Sequence, residues 1–147
     1  MTIVPITTEN LDDCIVVFLK SYNQPPWNYH WTYEKAKQYL SEYLDCKQFI
    51  GFSLNDQNQT VGALLGHKKT WWTNQQLMID EFFISPEKQR MGYGKKLLEF
   101  CDQYAAEKHI ESIVLMTNKY MPSYNFYDKT GYTTTEQFIF MFKQILA

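Results

Sequence analysis

Apolar residues recur along the chain either at every second position or at every third and fourth, and each switch of spacing marks a new element. The opening "TIVPIT" alternates loosely and predicts a short edge strand, where Pro5 is tolerated. In "ENLDDCIVVFLKSY", Leu11, Ile15, Phe18 and Leu19 sit at helical spacing behind threonines that offer an N-cap; the helix must stop at Pro25 and Pro26. Thr32 caps a second helix, "YEKAKQYLSEYLDC", with Ala36, Tyr39, Leu40, Tyr43 and Leu44 on one stripe. "KQFIGFSL" and "TVGALLGHKKTWW" flank the polar turn "NDQNQ" and predict a β-hairpin. "QQLMIDEFFIS" reads as a further, largely buried strand. Leu97, Leu98, Cys101, Tyr104 and Ala105 place a helix from Gly94 to Lys108. "ESIVLMT" is another buried strand, "PSYNFYDKTG" a short helix ended by Gly131, and "TTTEQFIFMFKQI" a final strand or pair. The order β, α, α, β, β, β, α, β, α, β suggests a mixed sheet with helices on its faces, and Gln76 to Thr117 forms a strand–helix–strand crossover.

Composition narrows the class. The 147 residues, 45% apolar and free of repeats or linkers, are expected to form a single domain, 1–147. A formal charge of −2 with no block of Lys or Arg argues against nucleic acid. The N-terminus lacks a secretory pattern and no apolar run approaches the roughly 18 residues of a membrane span, so a soluble cytoplasmic protein is expected. Cys14, Cys46 and Cys101 are scattered without zinc or disulfide-framework spacing, which predicts reduced thiols and no metal. His30, His67 and His109 show no triad spacing and receive no catalytic role.

The most informative stretch is "ISPEKQRMGYGKKLLEF", Ile84 to Phe100, where a strand meets Gly92 and Gly94 and a helix follows at once. Unpaired backbone N–H groups at the positive end of that helix, with glycine allowing close approach, favour phosphate. The spacing is not that of a Walker A loop, and the third glycine of the dinucleotide fingerprint is replaced by Leu97. It fits Gln/Arg, two residues, Gly, one residue, Gly, met by Gln89, Gly92 and Gly94. Here the chain resembles the GNAT superfamily of acyl-CoA-dependent N-acetyltransferases, with "DEFFISP" and "PSYNFYDKTGY" matching the pantetheine strand and the second signature helix. The resemblance implies a mostly antiparallel α/β sheet with a splayed parallel pair at the cofactor site and helices on both faces. It also implies acetyl-CoA as co-substrate, contacted by Phe83, Ile84, Gln89, Arg90, Met91, Gly92, Tyr93, Gly94, Lys95 and Asn118. Many members carry asparagine where this chain has Tyr120, so the contact made there is left open between Tyr120 and Asn118.

Acetyl transfer from a thioester needs a neutral amine, an oxyanion donor and a proton for the departing thiolate. An alkylamine with a pKa of about 10 is protonated at neutral pH, so a carboxylate should help remove its proton. Asp80 and Glu81 lie on the strand beside the expected thioester, and alternation sends them to opposite faces, so that at most one reaches the amine directly. Glu81 is favoured, with Asp80 kept open because it corresponds to the first acid of a similar pair in polyamine acetyltransferases. The resemblance makes Tyr127 the acid that protonates the thiolate, Tyr124 its reserve, and a backbone N–H near Phe83 or Ile84 the oxyanion donor. The connection between the first two helices covers the acceptor pocket in the resembled fold. Trp27, Tyr29 and Trp31 lie on it here, with Trp71 and Trp72 expected near the same mouth. Aromatic faces beside Glu34, Asp80 and Glu81 suit a cationic amine, such as a polyamine or an aminoglycoside. A peptide N-terminus or lysine as acceptor, and a non-catalytic acetyl-CoA sensor or scaffold, stand as alternatives; a homodimer is left open.

Overall fold

The polar break predicted at residues 55–59 closes into a tight hairpin between β2 (Phe49–Asp56) and β3 (Gln59–Thr70). Its two loop residues, Gln57 and Asn58, both take left-handed φ values of 51° and 63°, the twist that a two-residue hairpin requires. The computed structural model describes residues 1–147, whose contacts fall into two units, Met1–Met116 and Thr117–Ala147.

In the first unit the short β1 (Thr2–Pro5) lies antiparallel on β2, and β4 (Gln75–Ile84) lies antiparallel on β3. The crossover then brings β5 (Ser112–Leu115) parallel to β4, giving one sheet in the order β1-β2-β3-β4-β5. The parallel register runs only from Gln76↔Ser112 to Ile79↔Leu115, so Asp80–Ile84 continue without a β5 partner. This is the splayed pair expected at a cofactor site.

The apolar stripes decide which face each helix covers. The helices α1 (Leu11–Tyr22) and α2 (Tyr33–Leu44) bury Ile15, Phe18, Ala36 and Leu40 against Ala63, Leu65 and Phe83. Phe18 is the hub, with the rings of Tyr22, Trp31, Tyr39 and Phe83 4.8–5.9 Å from its own. Loss of such a ring typically costs about 3–5 kcal/mol. The opposite face is covered by α3 (Tyr93–Glu107), whose Phe100 and Tyr104 meet Phe52 edge-on at 4.9 and 5.0 Å. Burial pushes Cys14 up to about 11 and Cys101 up to about 12, so both remain thiols at neutral pH.

One irregularity matters for function. Leu65 pairs with Glu81 but Gly66 pairs with Ile79, so Asp80 is an extra residue in β4, a β-bulge. Gly66 permits the close approach there: a Cβ on it would stand 2.2 Å from the Met78 carbonyl oxygen. No helix in the chain is long and apolar enough to cross a membrane.

The second unit holds α4 (Pro122–Lys129), with proline in its first turn and Gly131 at φ 101° just beyond its end. The final strand or pair predicted for residues 133–145 does not form. Residues 133–147 have no regular structure and pair with none of the five strands, and a strand is not stable without a pairing partner.

Candidate active site

The bulge rearranges the acidic pair. Strict alternation would put Asp80 and Glu81 on opposite faces; the extra residue instead brings both toward the face covered by α1 and α2. There Asp80 Oδ2 lies 2.6 Å from His67 Nδ1, on the adjacent strand. Glu81 is held at both oxygens: Tyr22 donates to Oε1 at 3.1 Å and Tyr39 donates to Oε2 at 2.5 Å. Since the Tyr39 proton is given to Glu81, Tyr43, whose oxygen lies 2.9 Å away, must donate to Tyr39. Burial lifts the Glu81 carboxyl above the ordinary carboxylate range, the two tyrosine donors oppose the rise, and the nearby Asp80 charge adds to it. Tyr39 and Tyr43 are pushed up chiefly by burial, so they remain phenols.

The proline and tryptophan loop is seated on this cluster. Asn23 clamps it: its side-chain amide donates to the Trp31 carbonyl and its side-chain oxygen accepts from the Trp31 N–H, both at 2.9 Å. Trp31 is half-buried, edge-on to Phe18 and stacked 5.1 Å from Tyr39. Trp27 and Tyr29 pack instead on Tyr22, at 5.6 and 6.2 Å. Each tyrosine that holds Glu81 therefore carries part of the loop on its ring. An open cleft of about 440 Å³ is lined by Tyr29, His30, Trp31, Thr32 and Lys35. Trp71 and Trp72 lie in the β3–β4 turn, where Lys69 stands over Trp71 and Trp72 is 86% exposed.

At the far end of β4, Phe83 and Ile84 are buried in the stretch beyond the β5 pairing. The Ile84 carbonyl accepts from Ser21 Oγ at 3.2 Å and from the Gln89 side-chain amide at 3.0 Å, which ties α1 and the glycine turn to the strand end. Gln89 is thus used to fold the turn back. Arg90 (φ 63°) and Gly92 (φ 86°) are both left-handed around Met91, a backbone shape that gathers N–H groups into an anion-binding nest. The N-terminus of α3 has no side-chain cap and no acid in its first turn, leaving the amides of Tyr93, Gly94 and Lys95 without competitors. A Cβ at Gly92 would meet nothing within 4 Å, so the space above the turn is open. These features fit a pyrophosphate. The Tyr93 hydroxyl is engaged with Asp56, and Lys95 reaches Glu99 only at 4.0 Å along the exposed helix face.

In the second unit Tyr127 is buried, with the rings of Phe126 and Tyr132 each 5.5 Å away. The Tyr124 hydroxyl lies 2.8 Å from that of Thr134. Asn118 accepts from the Tyr120 N–H at 2.9 Å, an Asx turn leading into α4, and leaves the Tyr120 ring exposed under Lys119.

Sequence reasoning passed over Tyr22, Tyr39, Tyr43 and His67. The signal available for two of them was Tyr39 and Tyr43, four apart on the buried stripe of α2: phenols on a core face need partners for their hydroxyls.

Comparison with known proteins agrees with the fold. The pattern of the acetyltransferase (GNAT) family matches residues 15–132. No curated protein matches the chain. Among solved structures, the aminoglycoside 6'-N-acetyltransferase AAC(6')-IG from Acinetobacter haemolyticus is similar at 15% identity and a TM-score of 0.77, covering 99% of both chains. An aminoglycoside acetyltransferase, meta-AAC0020, from an uncultured soil metagenomic sample, in complex with sisomicin, is 20% identical at 0.76, covering 99% of this chain and 96% of its own. A transcriptional regulator from Bacillus halodurans C-125 is 18% identical at 0.79, covering 97% and 99%. With a family match that runs through most of its length, the chain belongs to the acetyltransferase (GNAT) family.

Proposed function

We propose that this chain, as one domain over residues 1–147, is a cytoplasmic acetyl-CoA-dependent N-acetyltransferase acting on a primary amine of a small cationic acceptor, by direct attack in a ternary complex. The observation that carries this reading is Glu81: a carboxyl whose pKa is raised by burial and which is held at both oxygens by tyrosines that support an aromatic loop. Acetyl-CoA supplies the acetyl group as a thioester. The nest at Arg90–Gly92 and the free first turn of α3 bind its pyrophosphate, and the unpaired edge of β4 at Phe83–Ile84 offers a backbone N–H to the oxyanion. Glu81, directly or through a water, takes the ammonium proton so that the amine lone pair can attack the carbonyl carbon. Collapse of the tetrahedral adduct then breaks the carbon–sulfur bond and the thiolate takes a proton from Tyr127; the acylated nitrogen gives up its second proton to solvent, from which the Tyr127 phenolate is reprotonated, leaving the amide and the thiol. That last role rests on the place of Tyr127 in "NFYDKTGY".

Aromatic faces on the Asn23–Trp31 loop and the two carboxylates favour a cationic acceptor, either a polyamine or an aminoglycoside. The test pairs thermal stabilisation by acetyl-CoA with free-thiol release across a polyamine, an aminoglycoside, a lysine peptide and a peptide N-terminus. Stabilisation with thiol release for a polyamine or aminoglycoside is the expected result. Release only for the peptides would move the acceptor to protein. Binding without release for any amine would make the chain an acetyl-CoA sensor, and no binding would sink the reading.

A further inference from the structure

One asparagine does more than its place in the chain requires. Asn23 ends α1: its backbone N–H donates to the Leu19 carbonyl at 3.0 Å, with φ −89° and ψ 10°, the shape of a type I turn residue that most side chains tolerate. The helix end therefore does not need an asparagine. Its side chain is used instead on both backbone groups of Trp31, eight positions on. Among uncharged aliphatic side chains only an amide carries both the donor and the acceptor that this two-point pairing needs. The pair is exposed, where hydrogen bonds add little to global stability, so its effect is local.

What it closes is the base of the loop between the first two helices. The loop is bonded within as well: the Tyr29 N–H donates to the Tyr22 carbonyl, left open at the helix end, at 2.8 Å. The N–H groups of Trp27 and Asn28 donate to the Gln24 carbonyl at 3.1 and 3.0 Å. Closed in this way, the loop lays Trp27 and Tyr29 on Tyr22 and stacks Trp31 on Tyr39. Those two tyrosines are anchored on α1 and α2, and their hydroxyls reach Glu81 without help from the loop. Around the carboxyl stand Tyr22, Tyr39 and Tyr43 from the helices, Asp80 beside it on β4, and His67 of β3 on Asp80. Burial is the largest influence on Glu81, ahead of the two hydroxyls and of Asp80.

We propose that Asn23 is a positioning residue for acetyl transfer: by pinning Trp31 it keeps the loop shut over Glu81, which holds water from the base and presents a ready-made aromatic wall to the acceptor. The role rests on Glu81 taking the amine proton. An acceptor then meets rings that are already ordered; with the pin removed, the cost of ordering them falls on binding.

Asn23→Ala removes both bonds and leaves the helix end intact. In the full chain, the Trp31 and Tyr29 amides should exchange with deuterium roughly tenfold faster or more. With an amine that gives thiol release, the acceptor KM should rise about tenfold while acetyl-CoA affinity stays at the wild-type value. Glu81 gains water, so its titration, followed by ¹³C NMR of glutamate-labelled protein and assigned with Glu81→Gln, should move down toward the ordinary carboxylate range. The acid limb of the kcat/KM profile should move with it to lower pH, a shift that an asparagine with a merely structural role would not cause. Loss of the Tyr39 hydroxyl acts with the opposite sign, so the direction separates loss of cover from loss of a hydrogen bond. Unchanged exchange at Trp31, faster exchange with the acceptor KM and the Glu81 titration both unmoved, or a titration that moves upward would each overturn the proposal. Should the alanine variant not fold, Asn23→Ser, which keeps a polar helix end without the amide pair, is read in the same way. If the wild type releases no thiol with any amine, the acetyltransferase reading fails, while exchange and the Glu81 titration still decide the role of Asn23. Turnover by an enzyme whose Glu81 and acceptor KM ignore Asn23 sinks only the positioning role.

Discussion

The glycine turn and the Glu81 cluster sit a few residues apart on one strand and its exit, but they are built from different materials. The turn is backbone: two left-handed residues, an uncapped helix start and open space above Gly92. Around Glu81, side chains from α1, α2, β3 and β4 converge, and their positions depend on one extra residue in β4. A backbone site binds any ligand of the right charge and shape, whereas a side-chain site can hold a proton at a chosen affinity. The division suits a transferase that must grip one substrate and deprotonate the other.

That division can be broken by substitution. Glu81→Gln keeps the shape but removes the base, and kcat should fall by about 10²–10⁴-fold while acetyl-CoA affinity stays unchanged. Steady-state rates and a cofactor titration check this, with Asp80→Asn as the companion. If Asp80→Asn proves the more damaging, the base is Asp80 with His67 as its orienting partner. Gly92→Val should act the other way, weakening acetyl-CoA by roughly tenfold, about 1.4 kcal/mol, through close approach to the ligand. The same variant also loses about 1–2 kcal/mol of stability by placing a branched side chain at φ 86°. Calorimetric titration separates the two effects; wild-type affinity in a folded Gly92→Val would remove the turn from the cofactor site.

The same contrast explains what could be read from the chain. The turn was legible because its determinants are local: Gln89, Gly92 and Gly94 stand in sequence with the helix they start. The element order was legible too, since Leu11 to Leu19 and Leu97 to Ala105 state their period plainly. Alternation failed at Asp80, because a bulge is set by strand pairing with Gly66 fourteen positions away, and no local pattern announces it. Tyr39 and Glu81, distant in sequence, meet only once α2 has packed on the sheet. The tail misled for the opposite reason. "FIFMF" states strand strongly, but a strand is completed only by pairing, and residues 133–147 pair with no strand of the sheet.

The smallest effect is the most specific to the cluster. Tyr39→Phe removes one hydroxyl and keeps the ring that stacks on Trp31, so the loop and the fold should persist. The lost hydrogen bond is one that held the Glu81 carboxyl down against its burial, so its pKa must rise further. If Glu81 is the base, the acid limb of the kcat/KM profile moves to higher pH, and the rate deficit is large in mild acid and shrinks as pH rises past the limb. Stability gives an independent check of sign. A carboxyl whose folded pKa is raised contributes most below its unfolded value of about 4.3 and loses that contribution as pH rises through the folded pKa. The bond from Tyr39 is strongest to the ionised form, so Tyr39→Phe should cost less stability at low pH than at neutral pH. A pH profile that keeps its limb while the stability difference follows this course would show that Glu81 is held by Tyr39 without being the group that takes the amine proton.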